Sequence, residues 1–229
     1  MTDPQSINER PIHLSAAQAR VLGALVEKEV TTPDYYPQSL NALINACNQL
    51  TNREPVMHLD DEEVRLALHR LEDLGLAGRA RGADGRVAKY EHWLGEAFNF
   101  TRAETALICV LLLRGHQTPG ELRGRTERMY HFEELDDVVS TLDRLAQREP
   151  PLARVLPRQP GTKESRYTHL FAGEPQIPEL PISTASDFST QSASSAADRL
   201  AQLEEEVAAL RRELSDVQQQ LAAFRKQFE

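Results

Sequence analysis

Three kinds of side chain in this 229-residue chain could do chemistry: clustered carboxylates, scattered histidines and recurring arginines. Asp60-Asp61-Glu62-Glu63 is one carboxylate cluster, and Glu133-Glu134 with Asp136-Asp137 is another. Both stand where an apolar pattern of helical spacing begins. Carboxylates there complement the positive end of a helix dipole, which is a sufficient reason for them. The histidines are His13, His58, His69, His92, His116, His131 and His169, and no pair has metal-ligand spacing beside a suitable Cys or Asp. Cys47 and Cys109 have no CxxC spacing and read as buried free thiols of a reducing compartment. Glycine-rich phosphate loops, HExxH and GxSxG are all missing. The expectation is therefore no catalytic residue, no metal, no cofactor and no enzyme.

The arginines are more suggestive. Arg79, Arg81, Arg86 and Lys89 flank one turn signal, and Arg154, Arg158, Lys163 and Arg166 flank another. Arg123, Arg125 and Arg128 lie together between them. Such groups on exposed strands and helix ends can hold phosphates or enter a minor groove. Solvated surface cations are the competing reading. The overall charge does not decide it. The net charge is −9, made of −5 in residues 1–100, +1 in 101–172 and −5 in 173–229. No segment has the broad basic excess of a typical nucleic-acid-binding domain.

The elements that must position these residues come as a repeat. Leu14-Ser15-Ala16-Ala17-Gln18 and Phe100-Thr101-Arg102-Ala103-Glu104 each carry a capping box, 86 residues apart. Val21, Leu22, Leu25 and Val26 then match Leu107, Ile108, Leu111 and Leu112. Thr32-Pro33-Asp34 matches Thr118-Pro119-Gly120 at the same offset, and each predicts a second helix with Pro at its first position. Val64, Leu68, Arg70 and Leu71 match Val138, Leu142, Arg144 and Leu145 at an offset of 74, a third amphipathic helix. The first copy is thus 12 residues longer, within residues 35–57, a stretch that contains a further helix at 40–47. A two-stranded pattern closes each copy, with Tyr90-Glu91-His92 and Tyr167-Thr168-His169 in the returning strands. Three helices and a hairpin make a winged-helix order.

The predicted fold class is mainly α with small β-hairpins (α+β): tandem winged-helix domains and a C-terminal coiled-coil helix. Its parts are an N-terminal tail (1–13), winged-helix domains at 14–95 and 96–172, a Pro- and Ser-rich disordered linker (173–197) and a coiled coil (198–229). Leu200, Leu203, Val207, Leu210, Leu214, Val217, Leu221, Phe224 and Phe228 alternate spacings of three and four, a heptad seam that predicts homodimerisation. In a parallel dimer Glu206 faces Arg211 of the partner, and antiparallel pairing is equally open. The N-terminus shows no signal peptide, and the longest apolar run, 106–113, is too short for a membrane span. A cytoplasmic protein is expected.

The residues Thr32-Pro33-Asp34-Tyr35-Tyr36-Pro37, Ser39-Leu40-Asn41-Ala42-Leu43, Asn45-Ala46-Cys47-Asn48-Gln49 and Asn52-Arg53-Glu54-Pro55-Val56-Met57 resemble the YceH family of bacterial proteins. The resemblance covers residues 14–172 and implies a tandem winged-helix fold, with no established activity, substrate or cofactor. Ile44 and Leu50 depart from the family pattern toward apolar residues. Asn41, Asn45, Asn48, Gln49 and Asn52 could read base edges or cap loops, and Tyr35-Tyr36-Pro37 reads as a packed turn. The leading expectation is a DNA-binding protein with a regulatory or chromosome-associated role. The alternative is a protein-interaction scaffold that binds no nucleic acid.

Overall fold

A computed structural model describes residues 12–80, 87–158 and 164–175. All of them fall within one unit, Met1–Gln176. The heptad residues 200–228, most of the linker, and Arg81, Arg86 and Lys163 lie outside the described residues.

The architecture is α+β. Helix α1 (Ala16–Thr31) starts at Ser15, whose side chain accepts from Gln18 N–H while Gln18 bonds back to Ser15, so two orphan amides are satisfied. Strand β1 (Gln38–Ser39) leads into α2 (Leu40–Cys47), and α3 (Asp61–Asp73) follows. Strands β2 (Ala77–Arg79) and β3 (Lys89–His92) pair antiparallel, and β1 adds to β3, giving the order β1-β3-β2. A short helix α4 (Leu94–Phe98) then leads to α5 (Arg102–Arg114), α6 (Pro119–Thr126), α7 (Leu135–Ala146) and the antiparallel pair β4 (Ala153–Val155) and β5 (Tyr167–His169).

One hydrophobic core runs through both repeats. Its centre is α1 against α5. Consecutive residues Ala19–Val26 of α1 are buried, as are most residues of α5 from Ala103 to Leu113, because other elements cover the remaining sides of each helix. The apolar run at 106–113 is this core helix. Among the described residues no helix is long and apolar enough to cross a membrane.

Gly23 sets the α1–α5 distance. A Cβ there would lie 2.9 Å from two carbons of the Leu113 side chain and 3.1 Å from the Leu112 Cβ. The Cys109 thiol donates to the Gly23 carbonyl at 3.4 Å. Gly23→Val is expected to lose about 1–3 kcal/mol through overpacking. Urea denaturation checks it, and an unchanged midpoint would mean that the helices separate freely.

The structure corrects the alignment of the second helices. Thr118 does cap α6, accepting from Glu121 N–H. Thr32 does not cap a helix: residues Pro33–Tyr35 form a single 3-10 turn, and the Thr32 hydroxyl donates to the Lys28 carbonyl instead. Pro37 lacks the N–H that would close the next helical turn, and it biases Tyr36 toward extended backbone. The true match is Gln38-Ser39 with Gln117-Thr118, an offset of 79. Gln38 pairs with Tyr90 in β3, and Gln117 bridges to Tyr167 in β5. Ser39 caps α2 as Thr118 caps α6, and both helices have eight residues. The segment 40–47 is thus the second helix proper. Of the 12 surplus residues, seven precede it and five follow it.

Candidate nucleic-acid interface and a basic groove

The carboxylate clusters act as caps. Asp60 accepts from Glu63 N–H and Glu63 bonds back to the Asp60 N–H, while at the start of α7 the Glu134 N–H donates to the Asp137 carboxylate at 3.2 Å. Among the described residues no three His, Cys, Asp or Glu gather as a metal site. Cys47 and Cys109 are both buried and free. Burial pushes both thiols up, Cys47 to about 12.

The arginines divide into committed and free groups. Arg123 donates to the carbonyls of Phe132 (3.1 Å) and Glu133, tying α6 to the loop before α7. Arg166 donates to the His116 carbonyl at 2.8 Å and to Glu121 at 2.9 Å. Arg154 pairs with Glu174 at 2.9 Å, and Arg158 reaches Ser165 at 3.4 Å. Arg79 ends β2 opposite Tyr90, and Lys89 begins β3 opposite Ser39. Both are exposed, and neither makes an ion pair among the described residues.

Arg125 and Arg128 are brought to a place of their own. With Lys28 and Arg114 they line a groove of about 530 Å³ between the end of α1, the loop after α2, the end of α5, and α6. Lys28 and Arg114 occupy equivalent positions in the repeat, 86 apart, each the basic residue of its helix's last turn. Helix C-termini favour such cations. The sequence reading missed both, although the offset of 86 carries the signal. Burial and then the charges of Arg125 and Arg53 draw the Arg114 guanidinium below its ordinary value. Cations are therefore packed closely enough here to repel one another.

The acid of this groove, Glu27, is already engaged. Arg53, fully buried, donates to both of its oxygens at 3.1 and 2.6 Å, and Lys28 lies 3.5 Å away. Burial pushes the Glu27 carboxyl up, but the Arg53 hydrogen bonds and charge more than offset that and leave it below its usual value.

Two residues of the asparagine-rich segment, Asn48 and Asn52, are structural. Asn48 bonds both the N–H and the carbonyl of Leu59, closing the loop between α2 and α3. Arg20, buried, donates to the carbonyls of Cys47 (3.0 Å) and Pro55 (2.5 Å). Asn52, in left-handed backbone at φ 62°, accepts from Arg114, and Gln49 lines the groove. Asn41 and Asn45 stand exposed on α2. The Tyr36 hydroxyl accepts from His92 N–H at 2.7 Å, as a packed turn requires, but Tyr35 is 77% exposed. His92 is also structural: its Nδ1 accepts from Leu94 N–H, and its Nε2 bonds Glu29 at 2.8 Å.

These features define a class: an α+β protein made of a repeated helical unit closed by antiparallel strands, with a cationic groove between the copies. The family model described as "Protein of unknown function, DUF480" matches residues 14–162. The chain is 56% identical over 194 residues to UPF0502 protein Acid345_3645 of Koribacter versatilis, covering 85% of this chain and 88% of that one. It is 51% identical over 216 residues to a UPF0502 protein of Solibacter usitatus (94% and 98%), and 46% over 216 residues to UPF0502 protein azo0627 of an Azoarcus species (94% of each). The chain belongs to this bacterial family, UPF0502, the YceH-like proteins.

Proposed function

We propose that this protein is a cytoplasmic, non-enzymatic DNA-binding regulator with two winged-helix modules, dimerised through the heptad segment 200–228. The observation that carries the reading is a recurring order: helix, a short extended segment, two helices, antiparallel pair, with the extended segment joined to the returning strand by strand β1 in the first copy and by the single bridge Gln117–Tyr167 in the second. That order supports the winged-helix reading. The mode of contact follows from charge. The third helices α3 and α7 open with carboxylates, which repel a phosphate backbone, so neither is suited to enter a major groove by its N-terminus. The exposed Arg79 and Lys89 on the first sheet are suited to backbone or minor-groove contact instead.

Fluorescence anisotropy of a labelled duplex, titrated with the full chain from low to physiological salt, tests it. Binding is expected to weaken steeply with salt. Arg79→Glu with Lys89→Glu should weaken it at least tenfold and lower the salt slope by about 2, one for each phosphate no longer neutralised.

One observation favours a protein scaffold as a second reading. Leu66, 59% exposed on α3, sits among the acids of that helix, a mixed apolar and anionic face. No duplex binding even at low salt would end the DNA reading and leave this one.

A further inference from the structure

We infer that the groove between the two copies is a binding site for a nucleotide-class organic phosphate, a compact polyanion carrying at least two phosphate groups. The inference is independent of the DNA reading, which uses the cations of the first sheet.

Charge is the first argument. Lys28 of α1, Arg114 of α5, Arg125 of α6 and Arg128 of the turn after α6 come to one cavity, while the acid there, Glu27, is held in a bidentate pair by a buried guanidinium. Arg125 has a carboxylate neighbour at 3.6 Å, Glu121, and that contact is partly exposed. The close approach of like charges around Arg114 is relieved by a multivalent anion. Guanidinium groups bind phosphate through paired hydrogen bonds, so three of them suit several phosphate oxygens.

Shape is the second. A volume of about 530 Å³ is in the ~300–1,000 Å³ range of small-molecule sites and larger than a lone phosphate needs. The cations surround one cavity and form no extended track, which fits a compact ligand better than a duplex backbone. The walls are not only charged: half-buried Met129 supplies apolar surface, and Leu50 is 74% exposed at the rim. A heterocycle can lie on this surface. Gln49 offers an amide, donor and acceptor together, for a ring edge.

Gly124 provides the cleanest test. It lines the groove, and a Cβ added to it would meet no atom within 4 Å. Gly124→Leu therefore adds bulk at the groove from a position whose Cβ has open space, and it replaces a poor helix former with a good one.

The experiment is isothermal titration calorimetry of the full chain at low salt with ATP, pyrophosphate and adenosine as probes. ATP should bind, pyrophosphate should bind several-fold more weakly, and adenosine should give no heat. Gly124→Leu and Arg125→Ser with Arg128→Ser should each weaken ATP at least tenfold, with the melting temperature of Gly124→Leu unchanged or raised. No ATP binding, pyrophosphate as tight as ATP, or full ATP affinity in Gly124→Leu would overturn the inference. Gly124→Leu abolishing duplex binding while the wild type ignores ATP would also overturn it and assign the groove to DNA. ATP binding without duplex binding would uphold it while the DNA reading falls.

Discussion

Arg53→Ala is expected to lose about 3–5 kcal/mol of unfolding free energy, the cost of stranding one member of a buried ion pair. The side chain is fully buried and donates to both Glu27 oxygens, to the Asn52 carbonyl and to the Ala46 carbonyl near the end of α2. Alanine leaves the 16%-exposed Glu27 carboxylate without its cation and frees a carbonyl at a helix C-terminus. Arg53→Lys keeps a charge but loses the fork that matches a carboxylate, so it should fall between wild type and alanine. Arg53→Met combined with Glu27→Gln removes both charges and should recover much of the loss. The pH dependence has a definite sign. The Glu27 carboxyl is lower in the folded state than in the unfolded one, so its contribution is complete above the ordinary carboxylate range and disappears as pH falls through the lowered value. Arg53→Ala should remove that acid-side slope. Urea denaturation at neutral and acid pH measures both effects. A neutral-pH loss under about 1 kcal/mol would show that solvent enters the Glu27 site, contrary to this account.

The same residue shows what could and could not be read from the chain. The capped helices were legible because a capping box is a local signal: Ser15/Gln18 and Thr101/Glu104 form as their spacing requires, whereas Asp60/Glu63, read only as partners of the helix dipole, form a further box. The Thr-Pro string was equally local and misled. Thr32 and Thr118 are identical in type, but Glu121 completes a capping box where Tyr35 stands after Thr32, and Pro37 follows the 3-10 turn. Gln38 and Gln117 were the true markers, but two buried glutamines ahead of a helix cap resemble nothing until Tyr90 and Tyr167 are placed beside them. Arg53 stood in a motif read mainly for its asparagines, and its partner Glu27 is 26 residues away on helix α1. The same limit governs the cationic site. A sequence displays residue type but not the direction of a guanidinium. Arg123 and Arg166 turn to backbone carbonyls, whereas Arg125 and Arg128 turn to the groove. Arg81, Arg86 and Lys163 are outside the described residues.

The groove depends on both copies at once. Its loop wall is set by Glu54 N–H donating to the Leu113 carbonyl at 2.8 Å, by Arg114 on Asn52, and by the Arg53–Glu27 pair. Each of these contacts crosses between elements distant in the chain, so the cations meet only when α1 and α5 are packed at the distance Gly23 permits. A variant that loosens the loop should therefore weaken anions bound at the groove before it affects contacts at Arg79 and Lys89. Arg53→Lys is the natural probe of that order.

His169→Leu is expected to flatten the stability profile between pH 7 and pH 5. His169 ends β5 opposite Ala153, with its ring 6.2 Å from that of Phe171. Its Nδ1 is shielded from solvent and has no hydrogen-bond partner, unlike the equivalent His92, both of whose ring nitrogens are bonded. Burial, and to a smaller degree the charge of His116, pushes the His169 imidazolium down to about 4 from an ordinary 6.5. The folded state therefore keeps a neutral ring where the unfolded chain takes up a proton. With the folded value depressed, stability is full above pH 6.5 and is lost as pH falls toward 4. Each unit of difference corresponds to about 1.4 kcal/mol, which sets an upper bound of about 3.5 kcal/mol overall and about 2 kcal/mol between pH 7 and pH 5. The depressed carboxylates, Glu27, Glu29, Glu104 and Glu121, act mainly below this window, because their unfolded values lie near 4.5. Unfolding free energies of the wild type and His169→Leu at pH 7, 6 and 5 separate the two sources. Equal slopes in both proteins would mean that solvent reaches the ring and that the acid sensitivity arises elsewhere.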